Sequence, residues 1–292
     1  MMNKHRKKQN QEEKNALSTG YYQSLIKRNP NFKVKKPMNI EVERLQNATP
    51  ENINNWYDTV VEPMFKKYNY DPSVIGNFDE TMLEYSEKKF KVISHQNGHG
   101  VVPKEDKSSQ HITLGCIIFA DGLTIKPVVI LPLKKLPREV DEIAHFYEWS
   151  GSDNGWMTKE IFEEFMIKVI LPEYERKLAL LPENSHGVLF IDSHTSRENP
   201  DLMEKFSKKN IDVITFISHT SHVQQPCDRG FFRVLKSKIK YNRTKIKLLD
   251  LKEKRLQLLK ISHAAWYYAC YPEIIKSAFK ESGIYPLDRQ VQ

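Results

Sequence analysis

Five consecutive apolar residues, Gly187-Val-Leu-Phe-Ile191, end at Asp192, and helix-patterned sequence lies on both sides of them. Ahead of this run a helix opens at Thr158 and continues to about Leu181; behind it come a helix over Pro200–Lys209 and a second extended run, Asp212–Ile217. Strands that alternate with helices in this way lie parallel in one sheet. Upstream the period is also extended. Val74–Phe78 leads into Asp79, and Lys89–Ser94, His111–Ala120 and Thr124–Leu131 follow as strand candidates, with Asp121-Gly122 as a hairpin signal between the last two. Three successive antiparallel strands are implied there.

Around this centre the pattern is helical or irregular. Residues 1–20 are polar and expected to be a disordered basic tail. Residues 21–70 read as helix, with Tyr21–Arg28 closed by Asn29-Pro30, and a second helix from Pro50 to Tyr68 that has Thr49 as N-cap and Pro50 at its first position. Gln96–Ser109 reads as a polar loop and Pro132–Gly155 as a long connection. From Gly230 onward the chain reads as helix, ending in an amphipathic segment over His263–Lys280. Three strands, a helix, a strand, a helix, a strand and then helices is the order of an α/β, RNase H-like mixed sheet flanked by helices. The expected domain is 71–292.

Charge is unevenly distributed. Residues 1–36 carry ten Lys/Arg against two Glu, and residues 231–260 carry eleven against one Asp and one Glu, while the whole chain is only +8. The remainder is therefore acidic: two basic blocks flank an acidic middle, a pattern that fits polyanion-binding surfaces around a cation-gathering centre and equally fits lysine-rich helices that are simply solvated. No apolar run approaches the ~20 residues of a membrane span, so no membrane partner is expected. Three widely separated cysteines, Cys116, Cys227 and Cys270, argue against a disulfide framework or a four-cysteine zinc site.

Three carboxylates stand at strand or helix boundaries. Asp79 lies on or at the end of the first strand, and Asp192 follows GVLFI directly, at the carboxyl end where an open α/β sheet presents its site residues. Asp228 lies in a polar stretch just before a basic helix. If the first strand and GVLFI are neighbours, Asp79 and Asp192 meet, and Asp228 completes a cluster suited to a hard divalent cation such as Mg²⁺. Taken singly, an Asp after a strand is more often a turn former or helix cap. His219-Thr-Ser221-His222 with Cys227 lacks the second ligand pair of a zinc site, and no Gly-x-Ser-x-Gly turn occurs for a serine hydrolase. Trp156, Trp266 and Tyr285 read as packing aromatics.

Five motifs, in order, resemble a known family. They are Asn77-Phe-Asp79-Glu-Thr81, Gly155-Trp-Met-Thr158, Val188-Leu-Phe-Ile-Asp192-Ser-His194, His219-Thr-Ser-His-Val-Gln-Gln-Pro-Cys-Asp228-Arg-Gly230 and Ser282-Gly-Ile-Tyr-Pro-Leu287. Together they are similar to the pogo/Tigger/jerky and centromere-protein-B group of DDE transposases, within the mariner-like superfamily, from about residue 20 to the end. The 35 residues between Asp192 and Asp228 are in that family's range.

The resemblance implies that Asp79, Asp192 and Asp228 are the metal-binding catalytic carboxylates. It implies two Mg²⁺ or Mn²⁺ ions, cleavage of phosphodiesters at transposon ends, and attack by the freed 3′-hydroxyl on target DNA. Partners are then DNA, with a homodimer as candidate assembly, and the location is the nucleus. Residues 21–70 would be a short helical remnant of a helix-turn-helix DNA-binding domain, because the family carries two such units and Tyr21–Asn47 resembles only the tail of the second. On helix 231–250, Lys236, Lys240 and Arg243 fall on roughly one face with Lys238 and Lys245 beside it, and phosphate contacts are expected there. The alternative is a domesticated or decayed relative that acts as a non-catalytic DNA-binding or chromatin protein.

Overall fold

The computed structural model describes residues 24, 27–29, 49–84, 111–133, 135, 137–193, 199–218, 220–242 and 250–291. The chain divides into two compact units, Met1–Glu41 and Val42–Gln292. In the first, Ser24, Lys27 and Arg28 are helical, and Arg28 Nε donates to the Ser24 carbonyl at 3.3 Å. The expected tail over 1–20, the strand over Lys89–Ser94 and the loop over Gln96–Ser109 lie outside the described residues.

Helix α1 (Pro50–Trp56) runs through a π-helical turn, Tyr57–Val61, into α2 (Glu62–Tyr68). Thr49 caps it by accepting from the Asn52 N–H at 3.2 Å, and it ends on Asn69 in the left-handed region at φ 47°. This helix is part of the compact unit, which starts at Val42 rather than beyond residue 70. Trp56 Nε1 donates to the Thr215 carbonyl at 3.1 Å, Tyr57 Oη to the Gly283 carbonyl at 3.1 Å, and Tyr70 Oη to Asp212 at 2.7 Å.

Six strands form one sheet: β1 (Ile75–Glu84), β2 (His111–Phe119), β3 (Val128–Leu131), β4 (Glu148–Gly151), β5 (Gly187–Ile191) and β6 (Ile211–Thr215). Their order is β4-β3-β2-β1-β5-β6. β1, β2 and β3 are successively antiparallel, as the sequence predicts; β5 pairs parallel with both β1 and β6. The Asp121-Gly122 turn joins β2 to β3, with Gly122 at φ 97° where a Cβ would run into Pro272 at 2.8 Å. The third strand is shorter than expected, since only Thr124 bridges to Ile118 before Val128.

One strand was not foreseen. Within the expected connection Pro132–Gly155, after a short helix α3 (Asp141–Ala144), β4 adds to the sheet edge in parallel with β3.

Both faces of the sheet are covered, which is why β2, β3 and β5 are buried along their whole length. On one face, Val74, Phe78, Ile117, Leu189 and Ile191 pack against the helix that Thr158 caps and against α6 (Pro200–Ser207). The Thr158 helix consists of α4 (Lys159–Phe165), a π-helical turn and α5 (Leu171–Leu178). On the other face, Ile75, Leu114, Ile118, Val188 and Phe190 pack against α1 and the C-terminal helices. Those helices are α7 (Ser221–Gln224), α8 (Phe232–Asn242), α9 (Leu251–Ala269) and α10 (Pro272–Glu281). The segment expected as one amphipathic helix over His263–Lys280 is therefore two. Pro272 lacks an N–H and starts α10 instead of continuing α9.

Candidate active site

β1 and β5 are neighbours, and their register sets the site. Ile75 lies opposite Val188 and Asn77 opposite Phe190. Two residues further along each strand are Asp79 and Asp192. Successive side chains alternate faces, so Ile75, Asn77 and Asp79 share one face, the one that holds Val188, Phe190 and the C-terminal helices. Asp79 is 6% exposed and pairs in register with Cys116 on β2. Asp192 is half-buried at the carboxyl end of β5, and beside it Ser193 Oγ lies 2.9 Å from Ser218 Oγ.

Asp228 is exposed, in the first turn of a π-helical segment, Cys227–Phe231, that runs straight into α8. Three contacts hold this turn. The Cys227 N–H donates to Asn77 Oδ1 at 2.8 Å, which ties the turn to β1. Arg229 donates from Nε and Nη2 to the Glu281 carbonyl at 3.3 and 2.9 Å, so its charge meets the negative end of α10. Gly230 faces Ala278, whose Cβ would be 2.8 Å from any side chain placed there.

The register brings Asp79 and Asp192 to one corner of the sheet, and the Cys227 tie brings the turn bearing Asp228 to the same strand. The donor set is all carboxylate oxygen, which suits a hard divalent ion. Among the described residues, no three His, Cys, Asp or Glu side chains lie close enough to hold an ion together. The three carboxylates thus share a corner without forming a closed ligand set.

Burial pushes the Cys116 thiol well up, with Cys270, Asp79 and Glu80 adding to the push, so this thiol beside Asp79 stays protonated.

Asn77 and Arg229 carry roles that reading by motif did not assign. Asn77 is fully buried, a polar residue two positions before Asp79 on an otherwise apolar face, and that placement was the available signal. Gln225 is also fully buried, and neither of its amide atoms has a partner.

Of the expected DNA-contacting residues, Lys236 and Lys240 are exposed on α8, one helical turn apart. Lys238 points elsewhere: it is half-buried, with its ammonium 4.4 Å from the Tyr268 ring of α9. Arg243 and Lys245 lie outside the described residues, as do His194 and His219. Trp156, expected to pack, is 47% exposed and leans on His111 with ring centroids 4.5 Å apart.

Comparison with known proteins agrees with this architecture. The crystal structure of the Mos1 strand transfer complex superposes with a TM-score of 0.50 at 12% identity, over 91% of this chain and 67% of that one. The Mos1 mariner paired end complex with Mn gives 0.50 at 9% identity, over 92% and 71%. These likenesses establish the RNase H-like fold. A protein of Cochliobolus lunatus named MFS-type transporter clz9 is 30% identical over 193 residues, which make up 64% of this chain and 20% of that protein. The chain thus spans only a fifth of that relative's length, and among the described residues no helix is long and apolar enough to cross a membrane. The family described as DDE superfamily endonuclease matches residues 108–279, a span that holds Asp192 and Asp228 and follows Asp79. On that match, which covers more than half its length, the chain belongs to the DDE superfamily endonucleases.

Proposed function

We propose that this protein is a DDE transposase of the pogo/Tigger/jerky and centromere-protein-B-like group, which cuts DNA phosphodiesters and joins the freed 3′ ends to target DNA. One observation carries the reading: Asp79 and Asp192 lie two residues past Asn77 and Phe190, the last pair that joins β1 to β5, and the turn bearing Asp228 is tied to β1. In this reading, Asp79, Asp192 and Asp228 hold two divalent ions, Mg²⁺ or Mn²⁺, as the Mos1 paired end complex holds Mn. Bound there, the ions would supply charge neutralisation at the phosphate and acidify an attacking water or hydroxyl.

The chain's own part is placement. β1 and β5 fix two carboxylates on rigid backbone, and the Cys227–Phe231 turn brings the third. Lys236 and Lys240 offer exposed cations for the DNA backbone, and charge of this kind positions a duplex without reading its sequence. Action on transposon ends and target DNA, in the nucleus and as a homodimer, completes the proposal.

The test is nicking of labelled duplex DNA by purified protein with Mg²⁺ or Mn²⁺, beside Asp79→Ala, Asp192→Ala and Asp228→Ala. Metal-dependent cleavage lost in all three variants is the expected result. Salt-sensitive DNA binding without cleavage, retained by all three, would overturn the catalytic reading in favour of a DNA-binding protein.

A further inference from the structure

Asn77 is an amide in a place built for an apolar side chain. It is fully buried, and its neighbours on the same face are Ile75, Val188 and Phe190. Burying an amide is tolerated only when its hydrogen-bonding capacity is used. Here it is used across three segments. Nδ2 donates to the Phe190 carbonyl of β5 at 3.1 Å and to the Phe78 carbonyl at 3.3 Å, and Oδ1 accepts from the Cys227 N–H at 2.8 Å. The amide orientation is not arbitrary: a backbone N–H can only donate and a carbonyl can only accept, so the oxygen must face Cys227 and the nitrogen β5. The Cys227 thiol adds a weaker contact, 3.6 Å from the Asn77 carbonyl.

Each segment joined by this amide carries one of the three aspartates a short step away. Asp79 is two residues beyond Asn77 on the same strand, Asp192 two beyond Phe190, and Asp228 next to Cys227. We infer that Asn77 is a positioning residue, whose side-chain amide sets the spacing of the three carboxylate-bearing segments toward a divalent cation. This rests on the metal-dependent reading above. Asn77 touches no reacting group; it acts through Asp192 and Asp228. An apolar residue of the same size would fill the core equally well but remove the oxygen that accepts from the Cys227 N–H and the donor that reaches Phe190.

The experiment compares the unsubstituted protein with Asn77→Leu and Asn77→Asp. Three quantities are measured: Mn²⁺ affinity by calorimetry, amide exchange at Cys227, and cooperative unfolding in urea. In the unsubstituted protein the Cys227 amide is expected to exchange as slowly as the amides of β5. Exchange as fast as an open helix start would overturn the inference without any variant. In Asn77→Leu, Cys227 exchange rises while β5 stays protected, and Mn²⁺ affinity falls ~10–100-fold, the range found when a residue supporting a metal ligand is removed. Asn77→Asp keeps an oxygen for Cys227 and, as a fully buried acid held neutral, an O–H for the Phe190 carbonyl, so its Cys227 amide stays protected and its Mn²⁺ affinity stays closer to that of the unsubstituted protein than to that of Asn77→Leu.

Unchanged Mn²⁺ affinity in a folded Asn77→Leu would overturn the positioning role and leave the metal reading standing. So would equal loss in Asn77→Asp despite a protected Cys227. Absence of Mn²⁺ binding by the unsubstituted protein would overturn the metal reading itself, and the inference with it. If Asn77→Leu does not unfold cooperatively, the Asn77→Asp comparison and the exchange rate of the unsubstituted protein decide.

Discussion

Gly76 and Tyr174 should behave as one unit, and a double-mutant cycle measures it. Tyr174 is fully buried on α5 and reaches over β1 to donate its hydroxyl to the Val188 carbonyl of β5 at 2.9 Å. It crosses where β1 has no side chain: a Cβ on Gly76 would overlap the Tyr174 hydroxyl and come within 3.2 Å of both Tyr174 Cζ and Ile117 Cδ1. Gly76→Ala must therefore displace Tyr174, combining overpacking with loss of its hydrogen bond, for about 2–3 kcal/mol. Tyr174→Phe loses the hydroxyl alone, for about 1 kcal/mol. In the double variant the new methyl occupies the space the hydroxyl vacated. The combined cost should fall short of the sum by about 1–2 kcal/mol, the coupling expected of groups in direct contact. Urea unfolding supplies each value from the shift in midpoint, provided the slope is unchanged. Costs that add to within about 0.5 kcal/mol would refute the argument that the glycine is there for the tyrosine. The cycle concerns the site as well, because the same crossing presses β1, which carries Asp79, against β5, whose end leads into Asp192.

Other consequences are open to measurement. Lys236→Ala with Lys240→Ala should weaken binding to duplexes of any sequence and flatten the plot of log affinity against log salt by about 1.8, because each neutralised phosphate contributes about 0.9 to that slope; an unchanged slope would remove both lysines from the interface. Burial pushes the Cys270 thiol up to about 12 from 9.0. At pH 8 it should react with a thiol reagent roughly a thousandfold more slowly than in the unfolded chain. The same shift makes the folded state hold its proton more tightly, so this contribution to stability is complete below about pH 9 and is lost as pH rises toward 12; equal reaction rates in the folded and urea-unfolded chains would contradict it. His263 is pushed below 6.5, first by burial and then by His145, and its ring stacks on Phe146 at 3.6 Å between centroids. A depressed imidazole favours the neutral form in the fold, so stability should fall as pH drops below about 6.5. His263→Phe should make the unfolding midpoint less sensitive between pH 7 and pH 5, and an identical pH profile would count against that assignment.

Much of the sheet was legible because its strands are long or wholly apolar. GVLFI is buried on both faces and could be little else, and the helices around it announced themselves through Thr49, Pro50 and Thr158. β4 was not legible. Glu148-Trp-Ser-Gly151 is four residues long, at the sheet edge, with none of them fully buried, so neither alternation nor an apolar run marks it. The π-helical turns at Tyr57–Val61, Met166–Ile170 and Cys227–Phe231 were equally silent, since each is a single turn inside a longer helical run and no residue type marks it. At the site, motif and position singled out the three aspartates. Their support could not be read in the same way, because Asn77 gains its role from Phe190 and Cys227, which are distant in sequence and meet it only in the fold.

Asp228 and the exposed lysines belong to one continuous run of helix, and this has a geometric consequence for the proposed DNA contacts. From Asp228 the chain passes without interruption through Phe231 into α8, so at ~1.5 Å per residue Lys236 stands ~12 Å and Lys240 ~18 Å further along the axis. The helix start favours the carboxylate, since the macrodipole is positive there, and its far end favours cations. A DNA strand lying along α8 would meet the two exposed lysines first and reach the carboxylate corner at the helix start. Lys238, on the opposite side, is directed to Tyr268 and serves the packing of α8 on α9 instead. The lysine pair and the acid thus share one rigid element whose start is fixed twice, by Asn77 at Cys227 and by Arg229 at Glu281. Loosening either anchor would change the angle at which bound DNA approaches Asp79 and Asp192 while leaving the lysines' charge intact. Charge-driven affinity and cleavage should therefore separate in Arg229→Ala, which keeps salt-dependent DNA binding but loses nicking; a variant that loses both together would show that the anchor supports the fold rather than the approach.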